Sequence, residues 1–338
     1  MKAVVIKLPN VAKFHLGEYT EKQSTALYNT ASIIHSDVLF GAFISVLEQI
    51  APEKIGDFKK LSEEGKFAIS SAFYCLDIEG KPLVYLLPKP VSLNLFQPED
   101  IQKFDVKKFK KIEFISKGVW EKGIKPNEWF NNNAKIVMPN SKTVCLSEEV
   151  EDEQFELFTL SDEEKVHLTD LSDDNELYTR TNLEILGTDK VKVHFYFLIE
   201  DSDLSDEDKK LVEKVWELVA LNGIGGERST GCGAIEQIEY NSAADFTLNM
   251  DETDNNKVLL GLAFPESLDD YIYYQTKVRG GMNYGKENRL EAITAIQEGA
   301  IIKNAVPQVK DLSENDKKYW KYSSCVSIPL HKNFNLDS

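Results

Sequence analysis

Residues 223–233 have the sequence Gly-Ile-Gly-Gly-Glu-Arg-Ser-Thr-Gly-Cys-Gly, in which five of eleven positions are glycine. Glycine adopts positive φ angles and lets the backbone approach another group closely, so this density predicts a tightly curved loop. Before the loop, residues 205–221 have the spacing of an amphipathic helix. After it, residues 234–240 partly alternate between apolar and polar side chains, which predicts a strand with one buried face. The predicted order is therefore helix, glycine loop, strand.

This order excludes the two commonest glycine-rich nucleotide-binding loops. A dinucleotide-binding fingerprint runs from strand to loop to helix and would need glycine at Arg228, whereas a Walker loop needs a Gly-Lys-Ser/Thr sequence that residues 223–233 lack. Two interpretations remain open. The segment is either a long turn whose glycines permit a chain reversal, or a phosphate-binding loop in which backbone N–H groups act together with Arg228, Ser229 and Thr230.

The pattern Gly-x-Gly-Gly-x-Arg-x-x-Gly-x-Gly, placed between a helix and a strand, resembles the glycine-rich loop of the RAMP superfamily of CRISPR RNA-binding proteins. Three further segments resemble members of that superfamily, namely Ser-Asp-Val-Leu-Phe-Gly-Ala at 36–42, Pro-Lys-Pro at 88–90 and an aromatic strand with an Arg-Gly end at 270–281. Their order resembles the Cas5-like fourth subunits of type III-A Csm effector complexes. The resemblance is weakest from residue 97 to 180.

The composition predicts a soluble, cytoplasmic protein. The chain has 338 residues, of which 42% are hydrophobic, and no apolar run is long enough for a membrane span. The N-terminal residues alternate too regularly for a signal peptide. The four cysteines lie far apart, without the paired spacing of a disulfide framework or a zinc site. We therefore expect no metal, no cofactor, no small-molecule substrate and no membrane contact.

The charge of the chain is unevenly distributed. The net charge of −17 argues against general affinity for nucleic acid. Residues 146–176, however, contain thirteen acidic side chains and one lysine, which leaves only −5 for the rest of the chain. Residues 103–117 contain six lysines and two acidic side chains, a local charge of +4. A basic groove is therefore compatible with an acidic flank, and the acidic run is expected to be a solvated loop or hydrophilic arm.

We predict an α+β fold with two ferredoxin-like (RRM-like, RAMP) domains, because this is the architecture that the resemblance implies. The N-terminal domain is predicted at residues 1–96, a charged insertion at 97–180 and the C-terminal domain at 181–338. Strands are predicted from the residues themselves at 2–8, 177–183 and 191–199, the last of which has the length and composition of a buried strand.

His35 and Asp37 stand at the predicted start of the first helix, where Ser36 is the predicted N-cap and Asp37 suits the positive end of the helix dipole. His35 has three open roles, as a general base that activates a ribose hydroxyl, as an RNA contact, or as a residue that faces solvent. Asp37 matches a position where an aspartate in the related backbone subunits resembles a catalytic residue. Since no second carboxylate lies nearby in sequence to form a metal pair, helix capping explains Asp37 more simply.

The resemblance implies a non-catalytic function, which is to bind the 5′ repeat-derived tag of the CRISPR RNA and to cap one end of a Csm effector complex. The implied partners are the CRISPR RNA, the large polymerase-like subunit and the backbone RAMP subunit. Two alternatives remain: a metal-independent endoribonuclease that uses His35 as general base, and a protein-only scaffold, which the net charge favours. The residues expected to contact RNA are His35, Ser36, Lys89, Arg180, Gly223, Gly225, Gly226, Arg228, Ser229, Thr230, Gly231, Lys277 and Arg279.

Overall fold

The structure is a computed structural model of the whole chain. It describes residues 1–20, 27–95, 105–130, 135–151, 154–167, 176–282, 289–313 and 319–334. Within these ranges the chain forms a mixture of helices and mainly antiparallel strands, which confirms the predicted α+β class.

The helices in the described ranges are α1 (Ser36–Ile50), α2 (Ile55–Glu63), α3 (Val106–Lys111), α4 (Lys117–Lys122), α5 (Pro126–Trp129), α6 (Ser147–Val150) and α7 (Asp206–Asn222). The first strands are β1 (Lys2–Lys7), β2 (Ala12–Phe14), β3 (Ala68–Ile69), β4 (Phe73–Ile78), β5 (Val84–Pro88), β6 (Phe114–Ser116), β7 (Ile136–Asn140), β8 (Thr143–Leu146), β9 (Phe158–His167), β10 (Glu176–Ile185) and β11 (Val191–Glu200). The later strands are β12 (Gln237–Ile238), β13 (Ala244–Asp245), β14 (Thr253–Leu259), β15 (Tyr271–Tyr273), β16 (Thr276–Met282), β17 (Arg289–Ile296), β18 (Ile301–Ile302), β19 (Gln308–Asp311), β20 (Trp320–Ser323) and β21 (Ser327–His331).

The main sheet is built around β11, and its strand order is β12-β1-β11-β4-β5-β6-β8-β7. β11 pairs antiparallel with β1 on one side and with β4 on the other, so that Phe197 lies opposite Val4 and Phe195 opposite Tyr74. The parallel pair is β6 with β8. Because β11 has strands on both edges and apolar side chains on both faces, it is almost completely buried, as its apolar sequence predicts.

The two faces of β11 are covered by different aromatic clusters. Phe197 packs against Trp216 of α7 with ring centroids 4.8 Å apart, and Trp216 also contacts Phe43 of α1. Tyr196 points to the opposite face, where its ring lies 4.8 Å from Tyr85. Successive residues of a strand alternate between faces, so this single strand joins two layers of the core.

The C-terminal strands pack directly on the first helix. The four-stranded sheet β15-β18-β14-β21 follows the chain from residue 253 onward. Phe40 of α1 stacks on Tyr322 of β20 with centroids 4.4 Å apart, and the Tyr322 hydroxyl accepts a hydrogen bond from the Ile69 amide at 2.9 Å. These contacts hold the beginning and the end of the chain against each other.

The main sheet contains strands from all three predicted segments, since β1, β4 and β5 lie in 1–96, β6 to β8 in 97–180 and β11 in 181–338. The predicted boundaries at residues 96 and 180 therefore cross a continuous sheet. The described part of the acidic run includes β9 and the beginning of β10, which pair over ten positions as a long antiparallel hairpin. Much of the described part of this run is thus regular strand, which contradicts the loop alternative but not the hydrophilic arm. None of the helices that the structure describes is long and apolar enough to cross a membrane.

Candidate nucleic-acid interface

The glycine loop, residues 223–233, connects α7 to β12 in the predicted order of helix, loop and strand. Gly223 and Gly233 form its base, where the Ile224 amide donates to the Gly233 carbonyl at 3.0 Å and both glycines have positive φ. A Cβ atom on Gly223 would lie 2.5 Å from the Gly233 carbonyl oxygen. Glycine is therefore required here both by conformation and by space.

The glycine loop is hydrogen-bonded to the N-terminal segment that contains Lys13 and His15. The Gly226 amide donates to the His15 carbonyl at 2.9 Å, and the Gly233 amide donates to the Lys13 carbonyl at 2.6 Å. A Cβ atom on Gly225 would lie 2.8 Å from the His15 carbonyl oxygen. The glycine density was predicted to allow close approach of the backbone to another group. Here that group is the protein's own chain.

The buried side chain of Arg180 holds the glycine loop in place. The side chain is 2% exposed, although it was predicted to contact RNA. Its guanidinium donates to Glu163 at 2.7 Å and to Glu227 at 3.1 Å, and it also donates to the Thr230 hydroxyl. Glu227 has a φ of 57°, which places a residue other than glycine in the left-handed region. The ion pair with Arg180 compensates for this conformation and holds the loop tip in place.

The tip of the loop is exposed and carries donor groups. Arg228 and Ser229 are exposed. The Arg228 side chain donates only weakly to the carbonyls of Asn222 and Gly223, at 3.3 and 3.5 Å, and no ion pair is formed with it in the described ranges. The amides of Arg228 and Ser229 open a short 3-10 turn (Arg228–Thr230), where the first N–H groups have no acceptor within the turn. A guanidinium and two amides therefore remain available for an anion.

A cleft of about 540 Å³ lies beside the loop and is here called the central cleft. Its lining residues include Glu18, His35, Lys89, Lys110, Glu113, Lys277 and Glu298. The glycine loop and the central cleft are connected by a short stretch of chain. His15 contacts the glycine loop, and Glu18, which follows it by three residues, lines the cleft. Three extended residues span about 10 Å, so the loop and the cleft are close enough for one short strand of nucleic acid.

His35 is buried in the wall of the central cleft within a chain of charged groups. Its Nδ1 atom lies 2.7 Å from Glu298 Oε1, and its Nε2 atom lies 3.4 Å from Lys277 Nζ. Lys277 also pairs with Glu18. Burial alone would raise the pKa of Glu298, but the charge of His35 and the hydrogen bonds from His35 and Ser71 lower it below its usual value. Glu298 is therefore a charged partner that fixes the His35 ring.

Lys89 and Lys110 supply the other cations of the cleft. The Lys89 ammonium lies 4.1 Å from the centroid of the Phe109 ring and donates to the Phe109 carbonyl at 3.2 Å. Burial lowers the pKa of Lys89 to about 8, and the nearby Glu113 opposes this shift only partly. Lys110 is exposed, and it forms no ion pair with the residues that the structure describes. Among the described residues, neither lysine has an ion-paired carboxylate that an anion would have to displace.

Ser36, Asp37 and Arg279 have structural roles. His35, not Ser36, is the N-cap of α1, so the predicted cap was wrong; Ser36 is fully buried, and its hydroxyl accepts from the Leu262 amide at 2.9 Å. Arg279 donates to both oxygens of Asp37, at 3.0 and 2.9 Å, and Lys321 donates to Asp37 at 3.0 Å. Burial would raise the pKa of Asp37, but Arg279 and Lys321 hold it well below its usual range.

The predicted site residues thus divide into three groups. Lys277, Lys89 and His35 meet in the central cleft, whereas Arg228, Ser229 and the exposed glycines Gly226 and Gly231 form the loop tip. Arg180, Ser36 and Arg279 are buried and bonded to protein groups, which differs from the expected RNA contact. The Thr230 hydroxyl is exposed but donates to the Glu227 carbonyl at 2.9 Å.

Sequence reasoning missed the carboxylates that hold these cations. Glu298 and Glu18 lie 263 and 259 positions from their partners, and no spacing rule connects them; Glu163 meets Arg180 only through the pairing of β9 with β10. Lys321, the second partner of Asp37, was missed for the same reason. Within the described ranges, no group of three or more His, Cys, Asp or Glu side chains is arranged to hold a metal ion.

Comparison with known families and proteins gives a consistent result. The family model of the RAMP superfamily matches residues 25–236. The chain is 30% identical over 359 residues to the CRISPR system Cms protein Csm4 of Methanocaldococcus jannaschii, an alignment that covers 94% of this chain and 90% of that protein.

Two solved structures have a similar fold over nearly the whole chain. A chain of the Csm3-Csm4 subcomplex of the type III-A CRISPR-Cas interference complex superimposes with a TM-score of 0.67 at 23% identity, covering 98% of this chain and 100% of that one. A chain of the Csm1-Csm4 cassette in complex with cA4 superimposes with a TM-score of 0.54 at 16% identity, covering 98% and 97%.

Proposed function

Because the chain belongs to the RAMP superfamily, in the family of the Csm4 protein, we propose that it is the non-catalytic RNA-binding subunit of a type III-A CRISPR effector complex. In this role it binds the 5′ repeat-derived tag of the CRISPR RNA and caps one end of the complex in antiviral defence. The observation that carries the proposal is the 30% identity to a Csm4 protein across 94% of the chain.

The proposed partners are the backbone RAMP subunit and the large polymerase-like subunit. Related proteins have been solved as a Csm3-Csm4 subcomplex and as a Csm1-Csm4 cassette, and this chain has the same fold over 98% of its length. The effector would be a cytoplasmic ribonucleoprotein. The finer architecture that we propose has two ferredoxin-like domains at residues 1–96 and 181–338 that share the main sheet, with a charged insertion at 97–180 that adds β6, β7 and β8 to it.

The RNA backbone would follow the glycine loop and enter the central cleft. At the loop, the guanidinium of Arg228 and the amides of Arg228 and Ser229 are free to bind phosphate oxygens. In the cleft, Lys89 and Lys277 would bind the next phosphates, with Lys277 exchanging its contact to Glu18 for a phosphate. Single-stranded RNA is recognised largely through such backbone contacts and base stacking.

The remaining predicted residues would act through the protein framework. Gly223, Gly225, Gly226 and Gly231 shape the loop, and Arg180 with Thr230 holds its tip. The buried side chains of His35, Ser36 and Arg279 fix the wall of the central cleft. No cofactor or metal has a role in this mechanism.

The proposal is tested by purifying the tagged protein from its native cell, sequencing the bound RNA and identifying its partners. We expect RNAs with a uniform repeat-derived 5′ end, together with a large polymerase-like protein and several copies of a smaller RAMP protein. Arg228→Ala should weaken binding of the tag RNA by the complex, whereas Lys60→Ala, at an exposed position on α2, should not. If Arg228→Ala and Lys277→Ala both leave RNA content unchanged, the protein-only scaffold is the better explanation.

One observation favours a second function, that of a metal-independent CRISPR repeat endoribonuclease. A histidine oriented by a carboxylate, as His35 is by Glu298, is an arrangement used in general base catalysis. Against it, the His35 side chain is 4% exposed and its Nε2 atom faces the Lys277 ammonium. The two functions separate in one assay: cleavage of repeat RNA by the purified protein in EDTA, abolished by His35→Ala, would establish the nuclease.

A further inference from the structure

The central cleft contains as many carboxylates as ammonium groups. Its lining includes three lysines and three glutamates, which are Lys89, Lys110, Lys277, Glu18, Glu113 and Glu298. A groove that binds phosphates alone gains affinity from cations and loses affinity through nearby carboxylates. The equal numbers therefore indicate that the cleft binds hydrogen-bond donors as well as phosphates.

The three carboxylates differ in what already occupies them. Glu298 is 5% exposed and is bonded to His35 and Ser71. Glu113 pairs with Lys142, which does not line the central cleft. Glu18 is 29% exposed and pairs with Lys277, which lines the same cleft. Glu18 is thus an accessible carboxylate in direct contact with a cleft cation.

The chain on both sides of Glu18 is held in place. Gly17 pairs with Thr30 in an antiparallel bridge. The ring of Tyr19 covers Gly280 of β16, since a Cβ atom on Gly280 would lie only 2.7 Å from Cδ2 of that ring. Because Glu18 lies between these two anchored residues, its carboxylate has a fixed place on the cleft wall.

Glu18 has unused capacity to accept hydrogen bonds. Lys277 donates to its Oε1 atom, and no residue that the structure describes donates to Oε2. An ionised carboxylate offers about four lone-pair sites on its two oxygens. When Lys277 exchanges this contact for a phosphate, as the proposed function requires, Oε1 also loses its donor. A carboxylate repels a neighbouring phosphate, so a ligand that places a donor between the two is favoured.

We propose that Glu18 accepts a hydrogen bond from the 2′-hydroxyl of a ribose and thereby selects RNA over DNA. This inference rests on the proposed function, in which Lys277 binds a phosphate of the RNA. The 2′-hydroxyl and the 3′-phosphate of a ribonucleotide are attached to adjacent carbons of the sugar, which suits an acceptor and a cation that touch each other. The 2′-hydroxyl is the group by which a protein distinguishes RNA from DNA at a given position. DNA lacks this donor and leaves Glu18 facing a phosphate.

The test is fluorescence anisotropy of the full-length protein with three kinds of labelled strand. These are the tag RNA, a DNA of the same sequence, and a set of tag RNAs that each carry one 2′-deoxy nucleotide. We expect the unmodified protein to bind the RNA about tenfold more tightly than the DNA, and one 2′-deoxy position to account for most of this ratio. Glu18→Ala should remove the penalty at that position and lower the ratio of RNA to DNA affinity by about the same factor.

The ratio separates hydrogen bonding from general electrostatics, because the loss of a negative charge affects both strands alike. Glu113→Ala is the matched control, since it removes a carboxylate from the same cleft and should leave the ratio unchanged. Glu18→Gln keeps one carbonyl oxygen as an acceptor and should retain more of the discrimination than Glu18→Ala. This second variant also tests the inference if Glu18→Ala folds poorly.

The proposal is overturned if Glu18→Ala changes the affinities for RNA and DNA by the same factor, or if Glu113→Ala lowers the ratio equally. Arg228→Ala, which tests the proposed function, should weaken both strands and leave the ratio unchanged. If it does so while the Glu18 variants also leave the ratio unchanged, the proposed function stands and this inference fails. If the unmodified protein binds neither strand, both fail.

Discussion

Near the central cleft, buried ion pairs hold several charged side chains in place. These pairs determine which cations remain available to bind an anion. Asp37, Arg279 and Lys321 are all nearly inaccessible and pair with one another, whereas the contacts of Lys89 within the described part of the chain are the Phe109 ring and the Phe109 carbonyl. The sequence identified Arg279 as a cation beside a glycine pair but contained no sign that Asp37, 242 positions earlier, would neutralise it. Which distant charges pair depends on the tertiary fold, and local sequence patterns do not show which distant residues meet.

Replacing Asp37 by Asn should destabilise the fold by about 3–5 kcal/mol, because it leaves Arg279 and Lys321 buried without a counter-charge. A carboxyl whose pKa is lowered by folding adds stability above its unfolded pKa and loses it as the pH falls below about 4. The variant should therefore show a weaker loss of unfolding free energy between neutral and acidic pH. Chemical denaturation at several pH values measures both effects.

Asp57→Asn is the control for this substitution. Asp57 is 67% exposed and lies 3.8 Å from Lys54, so its replacement should change the unfolding free energy by less than about 0.5 kcal/mol. Equal stability of the Asp37 and Asp57 variants would show that the buried triad adds nothing.

If Lys89 binds a phosphate of the RNA, as proposed, RNA binding should be sensitive to mild alkali. Burial lowers its pKa to about 8, so the ammonium that would bind phosphate is largely present at pH 7 and is lost as the pH rises toward 9. We expect the affinity for tag RNA to fall about fivefold over this interval, and Lys89→Arg, whose guanidinium stays charged, to remove most of the fall. Fluorescence anisotropy with labelled RNA measures the profile. A flat profile for the unmodified protein would exclude Lys89 as a phosphate contact.

At the scale of elements, the order of helix, glycine loop and strand was predicted correctly, because apolar periodicity and glycine density are local signals. In the β9–β10 hairpin, β10 was predicted as a strand at 177–183, whereas its partner β9 was expected to be loop or hydrophilic arm. β9 has four consecutive charged residues at 162–165, so its sequence shows no apolar alternation, and its strand conformation depends on pairing with β10. The N-cap of α1 was misassigned by one residue, since Ser36 bonds to the distant Leu262 amide instead of its own helix.

Within the glycine loop, Gly233→Ala should be more damaging than Gly231→Ala. Both glycines have positive φ, but a Cβ on Gly233 would collide with the Ile224 carbonyl, whereas a Cβ on Gly231 would meet no atom within 4 Å. We expect Gly231→Ala to cost about 1 kcal/mol of stability from backbone strain alone, and Gly233→Ala to cost more and to weaken RNA binding as the loop base opens. Thermal unfolding and RNA titration of both variants provide the comparison; an equal cost for both would contradict the steric argument.

For the whole molecule, the net charge of −17 is compatible with a small set of cations that are available to bind phosphate. Most of the net negative charge, −12 of −17, lies in residues 146–176, and the cleft carboxylates Glu18 and Glu298 are already paired. The α+β class was within reach of sequence patterns. The continuity of the main sheet could not be predicted from such patterns, because β11, which joins its parts, lies more than a hundred residues from β4 in the chain.

RNA binding should therefore depend only moderately on salt. If Arg228, Lys89, Lys110 and Lys277 each neutralise one phosphate, the logarithm of the binding constant should fall with the logarithm of salt concentration with a slope of about −3. Arg228→Ala should make this slope shallower by about 0.7. Measurements by anisotropy over a range of potassium chloride concentrations test this, and a slope as steep as that of strongly basic proteins would point to cations outside the cleft and the loop.

The central place of β11 affects how the protein is made. β1 and β4 both pair with β11, so their edges stay unpaired until the chain has been synthesised through residue 200. At translation rates of about 5–20 residues per second, β4 waits on the order of 10 s for its partner. The nascent chain thus exposes two apolar strand edges during this interval, when a neighbouring polypeptide on the same messenger could pair with them. Its productive folding begins late in synthesis, and shielding by a chaperone would matter most before residue 200 leaves the ribosome.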